Sequence, residues 1–437
     1  MKNKLFLLLL LLATLNQPLS AQQVFHSFDE LYAYAKSQSK SLQTNNVKLT
    51  QAKKAKLAAL FSIPDVTGNL LSANFTNNTR LGVNVFPAEI FGGAPGTFRT
   101  IETGIQYNTN VNSYAEIKLL NIAALYNYQL SKINIALTEN NTVLTIKSLK
   151  ENIANTYFNI VTLQKQYETS VKNTQVADSL LQITKNKYKA GLASKQDVND
   201  AESNYLSNAE TANQIKYLIS QSVISLKILA DIPEEKELII SHSNTTDKVQ
   251  QPPIVELNGT KLKSYILQEK YAKYAFRSAK AALYPTISAP LSNSYNIYSS
   301  SFQIVDNSWI NSNFIGLKLN VPLPSANTIA KKYSSYYDFQ LAEINLQQAK
   351  IKSKLEQEEL IIAYDKAVSQ AKANKAIYDL RADTYLKNKQ LYAKGLIGLE
   401  QTLNSFNAMV NANYNLISSL TSIELTLTKI EINNSVQ

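Results

Sequence analysis

Cysteine is absent from this 437-residue chain, and glycine and proline are scarce, with 11 of each. The missing cysteine excludes disulfide bridges, thiolate metal ligands and a lipidated N-terminal cysteine. The histidines are His26 and His242, and neither belongs to a catalytic or metal-binding motif. Three neighbouring glutamates, Glu356, Glu358 and Glu359, fit a solvated helix face. The sequence therefore predicts no enzyme, with no catalytic residue, no metal site and no cofactor.

Long apolar runs are also missing. Beyond the N-terminus, no segment reaches the ~18 consecutive apolar residues that a membrane-spanning helix needs. The N-terminus has two early lysines, a short apolar run from Leu5 to Leu12, and a small residue at Ala21. This pattern is typical of a signal peptide, here over residues 1–21. We expect the exported chain to begin at Gln22.

Arginine is rare, since it supplies four of the 44 basic residues, although the formal net charge is +11. The lysines are spread along the chain and form no block of five or six. Nucleic-acid-binding segments concentrate their basic residues. We therefore interpret these lysines as solvated helix faces and expect no nucleic-acid partner.

Two segments contain neither glycine nor proline, over 86 residues before Gly191 and over 70 residues before Gly395. Each ends in the sequence Tyr-x-x-Gly-Leu, at Tyr188–Leu192 and at Tyr392–Leu396. A long run without breakers that ends in a glycine turn predicts one long helix followed by an antiparallel partner. Because the pattern occurs twice, the chain is interpreted as an internal duplication.

The remaining glycines and prolines divide the chain into two repeats of one plan. Each repeat has a helix, a β-hairpin, a long helix, a tight turn and a second helix. The predicted boundaries are repeat 1 at 22–230 with its hairpin at about 65–114, a linker at 231–259, repeat 2 at 260–432 with its hairpin at about 286–321, and a tail at 433–437. The first helix is expected over Phe28–Phe61, with Asp29 as its N-cap.

The hydrophobic period changes to two in the hairpin regions, which indicates strands with one polar and one apolar face. In repeat 1 the apolar positions include Leu71, Ala73, Phe75, and then Ile101, Thr103, Ile105, Tyr107 and Val111. Repeat 2 shows strand regions at about Ser294–Ile304 and Trp309–Val321. Residues 77–100 are expected to form a glycine-rich loop, so each repeat contributes two strands.

The long helices carry apolar residues at alternating three- and four-residue steps, which indicates coiled-coil packing. The first stripe contains Ile146, Leu149, Ile153, Ile160, Leu163 and Tyr167. The second stripe contains Tyr337, Leu341, Ile344, Ile351, Leu355 and Ile362.

Four strands are too few to close a membrane barrel, and an open sheet edge is prohibitive in lipid. If the sheet lies in a membrane, other copies must complete it, with eight strands from two copies or twelve from three. Aromatic residues near the strands suit a membrane-interface belt, the candidates being Tyr107, Tyr295, Tyr298, Trp309 and Phe314. The alternative is an ordinary antiparallel sheet packed on a soluble core.

The duplicated plan, the two glycine turns and the strand exit Gly316–Leu323 resemble those of the TolC-like outer-membrane efflux family. Within that family the sequence looks like a Bacteroidetes-type member. The resemblance covers nearly the whole exported chain. It implies a mainly α fold with a small β part, in which a long antiparallel coiled-coil helical barrel joins a transmembrane β-barrel. The β-barrel is completed by trimerisation, with four strands from each subunit.

The resemblance also implies a function. Such proteins are exit ducts in the cell outer membrane, with a long periplasmic extension, for tripartite efflux pumps or type I secretion. Their implied partners are further copies of the chain in a homotrimer, outer-membrane lipid, a periplasmic adaptor and an inner-membrane pump. They are passive conduits that open at the periplasmic tip, and the pump largely determines the substrate.

Site residues transfer from the family only around the two turns. The adaptor-contact candidates are Gly191, Leu192, Ala193, Ser194, Gly395, Leu396 and Ile397. The gate candidates are Tyr392, Gln401, Asn404, Asp197 and Asp200. The family's acidic ring falls on Gln401 and Asn404 here, so it is absent from its usual place, and Ile397 replaces an expected basic residue.

The first turn does carry acidic residues, at Asp197 and Asp200. Two interpretations of them remain open, a role in the pore and a favourable charge at a helix start. Tyr392 is expected to be able to hydrogen-bond toward Asp197. A periplasmic coiled-coil adaptor or scaffold is the alternative function for the whole chain, although no lipoyl-like domain is visible.

Overall fold

The structure is a computed structural model, and it describes residues 23–241, 254–302 and 308–434. The predicted signal peptide, the expected start at Gln22 and most of the predicted tail lie outside these residues. Seven α-helices occur in the described part: α1 Phe28–Gln38, α2 Lys40–Phe61, α3 Ile122–Lys189, α4 Lys195–Leu229, α5 Gly259–Ala281, α6 Ala326–Ala393 and α7 Leu399–Asn434. The predicted duplication is visible in the two long helices, α3 and α6, which have 68 residues each.

Nine strands occur in the same part of the chain: β1 Gln23–Phe25, β2 Val66–Asn77, β3 Gly82–Pro87, β4 Phe98–Thr103, β5 Tyr107–Leu120, β6 Leu238–Ile240, β7 Thr286–Ser299, β8 Ile310–Ile315 and β9 Lys318–Asn320. The chain divides into two compact units, and each unit draws on both repeats. Unit 1 comprises residues 1–48, 139–265 and 346–437, and unit 2 comprises residues 49–138 and 266–345. Among the described residues, no helix is long and apolar enough to cross a membrane.

The first predicted helix is wrong in two details. It breaks at Ser39 into α1 and α2, and its N-cap is Ser27 rather than Asp29. Ser27 has extended backbone angles, and its hydroxyl accepts a hydrogen bond from the Glu30 amide at 3.2 Å. A capping side chain must come from the residue that precedes the helical turns, and Asp29 already lies inside the first turn.

The main sheet of unit 2 follows the order β2-β5-β7-β8, with β9 also paired to β7, and all pairings are antiparallel. The fourth position is thus divided between β8 and β9. The interruption lies opposite Pro290 of β7, which has no amide hydrogen to donate to the ladder. The amide of Gly316 donates to the Pro290 carbonyl at 3.1 Å. Strand β7 begins at Thr286, earlier than the predicted Ser294.

The central strands β5 and β7 have one polar side and one apolar side, as the period of two predicted. The pairings Asn110 with Asn296 and Asn112 with Ser294 lie on the polar face, where the Asn110 and Asn296 amides are hydrogen-bonded at 2.7 Å. The alternate positions pair Ala115 with Leu291 and Ile117 with Ala289. In β5 and β7 an amide- and hydroxyl-rich side is therefore opposite an aliphatic one, whereas β8 reverses this, with Ile310 and Phe314 on the polar side and Asn311 and Asn313 on the other.

The prediction of a loop at 77–100 is wrong, because these residues contain a second hairpin. Strands β3 and β4 pair from Gly82–Thr103 to Pro87–Phe98 and form a separate two-stranded sheet. The predicted continuous strand from Ile101 to Val111 is broken at Gly104, which has φ 141°. The inserted residues that distinguish repeat 1 from repeat 2 thus build a regular element.

Unit 1 has a core that packs the start of the described chain against α3, α4 and the end of α7. The fully buried residues include Leu31, Ile153, Tyr157, Leu226 and Ile432. A second element missed by the sequence analysis lies at this core, where β1 and β6 form a short parallel pair. Two members of the first coiled-coil stripe, Ile153 and Ile160, are fully buried.

The second coiled-coil stripe behaves differently. All six of its predicted members are exposed in the single chain: Tyr337, Leu341, Ile344, Ile351, Leu355 and Ile362. The buried residues of α6 are instead small or aromatic, such as Ala367, Ala371 and Tyr385. The apolar face of α6 is therefore not covered by the chain's own helices.

Candidate functional site

The two helix turns at Gly191 and Gly395 have the same backbone structure. The Gly191 amide donates to the Tyr188 carbonyl at 3.0 Å, and the Gly395 amide donates to the Tyr392 carbonyl at 2.9 Å. The leucine that follows donates five residues back in each case, at 2.8 and 2.9 Å. Both glycines have positive φ, 72° and 79°. These are Schellman turns, and the repeated Tyr-x-x-Gly-Leu sequence supplies the left-handed residue that they need.

The residues after the two turns differ. In the first turn, Ser194 and Asp197 form a capping box, because the Ser194 hydroxyl accepts from the Asp197 amide and the Asp197 carboxylate accepts from the Ser194 amide. The position that corresponds to Ser194 in the second turn is Gly398, which has no side chain to offer. Asp197 thus has a structural role at the start of α4.

The remaining acidic and amide candidates are exposed. Asp200, Gln401 and Asn404 lie on the solvent-accessible surface of α4 and α7 in the single chain. Within the described residues no hydrogen bond or ion pair joins these side chains, so a ring of them requires other copies of the chain. Leu192 and Leu396 are 77% and 67% exposed at the two turns. Each turn therefore presents one uncovered apolar side chain.

Tyr392 is the best-connected candidate, and it is 4% exposed. Its hydroxyl lies 3.0 Å from the hydroxyl of Thr184 on α3. Because the Thr184 hydroxyl donates to the Leu180 carbonyl at 2.9 Å, we assign Tyr392 as the donor of this bond. In the single chain the predicted hydrogen bond from Tyr392 toward Asp197 is therefore replaced by one to Thr184, while the Asp197 carboxylate accepts from Ser194.

Lys187 adds a second link between the two hairpins. Its ammonium lies 4.0 Å from the centroid of the Tyr392 ring and donates to the Tyr392 backbone carbonyl. The same carbonyl accepts the Gly395 amide. A lysine of α3 thus caps the C-terminal end of α6, where positive charge is favourable.

Tyr392 belongs to an apolar cluster with Leu180, Leu181, Ala201 and Leu399. Burial raises the pKa of the Tyr392 hydroxyl, and the negative charge of Asp197 adds to this effect. The hydroxyl is therefore neutral at physiological pH, and it serves as a hydrogen-bond donor in a largely apolar contact.

A second cluster lies beside the first and contains Ala177, Tyr385, Phe406 and Val410. The rings of Tyr385 and Phe406 are 5.2 Å apart. Within the described residues the Tyr385 hydroxyl is buried without a hydrogen-bond partner, and burial raises its pKa to about 12. The contact between the two hairpins is thus continuous over several turns of helix.

Sequence reasoning missed Thr184 and Lys187. They are three residues apart, which places them on one face of α3, but nothing in that spacing distinguishes them from other polar pairs. Tyr188 illustrates the same limit, because it occupies the position of Tyr392 in its own turn and yet is 46% exposed. The motif predicted the turn but not which tyrosine is buried.

The five belt candidates do not share one face of the sheet. Tyr295 pairs with Val111 on the apolar face, whereas Tyr298 pairs with Asn108 on the polar face. Phe314 pairs with Ser292, also on the polar face. Trp309 immediately precedes β8, and Tyr107 begins β5. An aromatic cluster that the sequence analysis did not identify joins Phe302 to Phe75 and Tyr107, with centroids 6.0 and 6.5 Å apart.

Among the described residues, no group of three His, Cys, Asp or Glu side chains is placed to hold a metal ion. The functional geometry in this part of the chain is therefore a contact between helical hairpins and a two-faced sheet.

Comparison with known proteins identifies the fold. No family model and no curated protein matches the sequence. The outer membrane protein VceC from Vibrio cholerae has 15% identity and a TM-score of 0.74, over 93% of this chain and 95% of VceC. The Campylobacter jejuni CmeC outer membrane channel has 15% identity and a TM-score of 0.74, over 93% of this chain and 85% of CmeC.

The open state of the Neisseria gonorrhoeae MtrE outer membrane channel is also similar, with 14% identity and a TM-score of 0.63 over 93% of this chain and 88% of MtrE. At such low sequence identity these similarities establish the fold alone. The chain has the TolC-like fold of outer-membrane channels, mainly α with a smaller sheet part, and the prediction of this fold is confirmed.

Proposed function

We propose that this protein is an outer-membrane exit duct with a periplasmic extension, serving a tripartite efflux pump or a type I secretion system. The observation that carries the proposal is the sheet of unit 2. Its central strands, β5 and β7, have an amide-rich side and an aliphatic side, as expected when one side lines water and the other contacts lipid. The TolC-like fold supports the same conclusion.

Self-association is part of the proposal. The outer strands of the main sheet, β2 and β8, each pair on one side within the described chain, and unpaired edges are costly in lipid. The exposed stripe on α6 offers a second surface for another copy. A homotrimer places four sheet positions from each subunit in one closed wall, and it covers the α6 stripe with a neighbouring helix.

The tip is proposed to open by separation of the two hairpins. Thr184 and Lys187 on one hairpin hold Tyr392 on the other, and these contacts must break if the hairpins move apart. Asp197, Asp200, Gln401 and Asn404 remain proposed as tip residues around this contact, with Asp197 acting through the capping box.

The exposed residues of the turns are proposed to contact a periplasmic adaptor. Leu192 and Leu396 project from matched turns, so two sets of three leucines surround the tip of a trimer. An adaptor with apolar side chains at its own tip suits these sites. The adaptor in turn joins the duct to an inner-membrane pump, and no nucleic-acid partner is involved.

The alternative function is a periplasmic coiled-coil adaptor or scaffold. The aliphatic side of β5 and β7 favours the duct, because a soluble scaffold gains nothing from sheet residues such as Ile117 and Leu291 that its own chain leaves only half-buried. Membrane fractionation and mass measurement in detergent test the proposal. We expect the protein in the outer-membrane fraction, as a trimer that forms conducting channels in planar bilayers. Recovery as a soluble periplasmic monomer without detergent would refute the duct.

A further inference from the structure

Unit 2 contains a groove between the first part of α3 and the last part of α5. The groove has a volume of about 510 Å³. Four basic side chains line it, namely Lys132, Lys270, Lys273 and Arg277, together with a single carboxylate, Glu269. Its floor is apolar and includes Ile133 and Leu267. We propose that this groove binds the headgroup of an anionic phospholipid from the membrane leaflet that faces the helices.

The cations of the groove are free to bind a ligand. Within the described part of the chain, none of the four forms an ion pair with a carboxylate, whereas other lysines such as Lys118 and Lys261 do. All four side chains are exposed. An excess of unpaired positive charge around an apolar floor matches the chemistry of an anionic amphiphile, whose phosphate is charged and whose glycerol and acyl groups are apolar.

Aromatic rings support two of the cations. The Lys132 ammonium lies 5.7 Å from the ring centroid of Tyr128, and the Arg277 guanidinium lies 5.3 Å from that of Tyr274. The groove walls are joined near this point by a 2.7 Å hydrogen bond from Ser278 to Asn127. Tyrosine and basic residues together are typical of the headgroup layer of a membrane.

The position of the groove relative to the sheet fits the same ligand. Strand β5 ends at Leu120 before α3 begins at Ile122, and α5 ends at Ala281 before β7 begins at Thr286. These chain segments lie at the same end of the sheet, where Leu120 at the end of β5 pairs with Ile287 near the start of β7. At 1.5 Å per residue, Arg277 lies about 6 Å from its helix end, and Lys273 about 12 Å.

The headgroup layer adds about 5–8 Å on each side of the hydrocarbon core. If the sheet spans the membrane, as in the proposed function on which this inference rests, the Arg277 end of the groove opens at the level of the phosphates, and Lys273 lies one helical turn further from the membrane. Long basic side chains extend along apolar surface to reach them. A lipid whose headgroup binds in the groove can therefore keep its acyl chains in the bilayer.

The test uses the delipidated full-length protein in neutral detergent, titrated with a short-chain anionic lipid, dihexanoyl phosphatidylglycerol, below its micellar concentration. Dihexanoyl phosphatidylcholine is the neutral comparison. We expect the wild type to bind the anionic lipid more tightly than the neutral one. The triple variant Lys270→Gln/Lys273→Gln/Arg277→Gln should bind the anionic lipid at least about tenfold more weakly, with unchanged binding of the neutral lipid.

A matched control removes three exposed lysines of α6 in unit 1, as Lys350→Gln/Lys366→Gln/Lys372→Gln. It makes the same change in net charge and should retain wild-type lipid binding. Equal binding of the two lipids, or equal loss in both triple variants, would overturn the inference. Binding of a short oligonucleotide as tight as that of the anionic lipid would also overturn it, because the groove would then be an unspecific cation patch.

The outcome of the lipid titration can be distinguished from the outcome of the test of the proposed function. The titration needs no insertion into a membrane, whereas the duct is tested by conductance. The groove variant should conduct like the wild type in neutral bilayers, since its substitutions lie in unit 2 and the tip residues belong to unit 1. A wild type that fails to conduct would count against the duct, and the lipid titration would still decide the inference about the groove.

Discussion

The turns at Gly191 and Gly395 have the same backbone and different side-chain environments. Each has a Schellman hydrogen-bond pair, a glycine with positive φ and an exposed leucine. However, Tyr392 is buried against the other hairpin, whereas Tyr188 is 46% exposed. The first turn has a Ser194–Asp197 capping box, and the second has Gly398 in the place of Ser194. Duplication thus preserved the turn, while only the tyrosine of the second copy takes part in the contact between the two hairpins.

The largest effect is expected from Tyr392→Ala. It removes a buried ring, the hydrogen bond to Thr184 and the contact with Lys187, at a cost of about 3–5 kcal/mol to the packing of the two hairpins. We expect a higher single-channel conductance in planar bilayers. Tyr188→Ala is the matched control in the other turn and should conduct like the wild type. Equal conductance of all three proteins would remove Tyr392 from the gate.

Lys187→Met should have the next largest effect. It keeps the aliphatic stem of the side chain but removes the charge that caps α6 and lies over the Tyr392 ring. Charge-assisted hydrogen bonds contribute about 1.5–3 kcal/mol, and we expect about the lower limit because Lys187 is partly exposed. Conductance should rise less than in Tyr392→Ala. Lys189→Met, in the same last turn but exposed, controls for the change in charge.

Much of this architecture could be predicted from the sequence. The long helices and the two turns followed from the positions of glycine and proline, because these residues act locally. The inserted hairpin β3–β4 was missed because its glycines and prolines indicated a loop, and the break at Ser39 has no strong breaker. The contact of Thr184 and Lys187 with Tyr392 joins residues about 200 positions apart, and no local pattern encodes it.

The two coiled-coil stripes teach the same lesson. Ile153 and Ile160 are buried by helices of their own chain, whereas Leu341 and Ile351 on α6 remain exposed. Periodicity predicts that a face will be covered, but it does not tell which molecule covers it. The exposed stripe is accounted for by the proposed trimer.

Ser194→Ala should have a smaller effect. Loss of the capping box costs about 1 kcal/mol at the start of α4. Hydrogen exchange of the first amides of α4 should become several-fold faster, and conductance should stay close to that of the wild type. The corresponding change in the second turn, Gly398→Ala, removes no cap and should not speed exchange at the start of α7. Equal acceleration in both turns would show that the capping box adds no local stability.

The smallest effect at neutral pH is expected from Tyr385→Phe, because the lost hydroxyl has no hydrogen-bond partner within the described residues. The effect should appear in alkali. Burial raises the pKa of Tyr385 to about 12, whereas an unfolded tyrosine loses its proton near ~10. The unfolded state thus binds fewer protons between these values, so the wild type loses stability as pH rises from about 10 to about 12.

Thermal melting at pH ~8 and ~11 measures this difference. Tyr385→Phe should lose less melting temperature in alkali than the wild type does. Tyr188→Phe, which removes an exposed hydroxyl, should follow the wild type. If Tyr385→Phe also follows the wild type, the Tyr385 hydroxyl is not buried in the assembled protein.

The most direct test of the proposed gate links the two hairpins chemically. Asn204 on α4 and Asn407 on α7 are joined by a 3.1 Å hydrogen bond, and the chain has no native cysteine. Asn204→Cys/Asn407→Cys can therefore be linked at one defined place by a reducible bis-maleimide, in a Tyr392→Ala background. The measurement is single-channel conductance before and after cleavage of the linker. We predict low conductance while the hairpins are linked and a rise on cleavage, and an identical high conductance in both states would contradict the account.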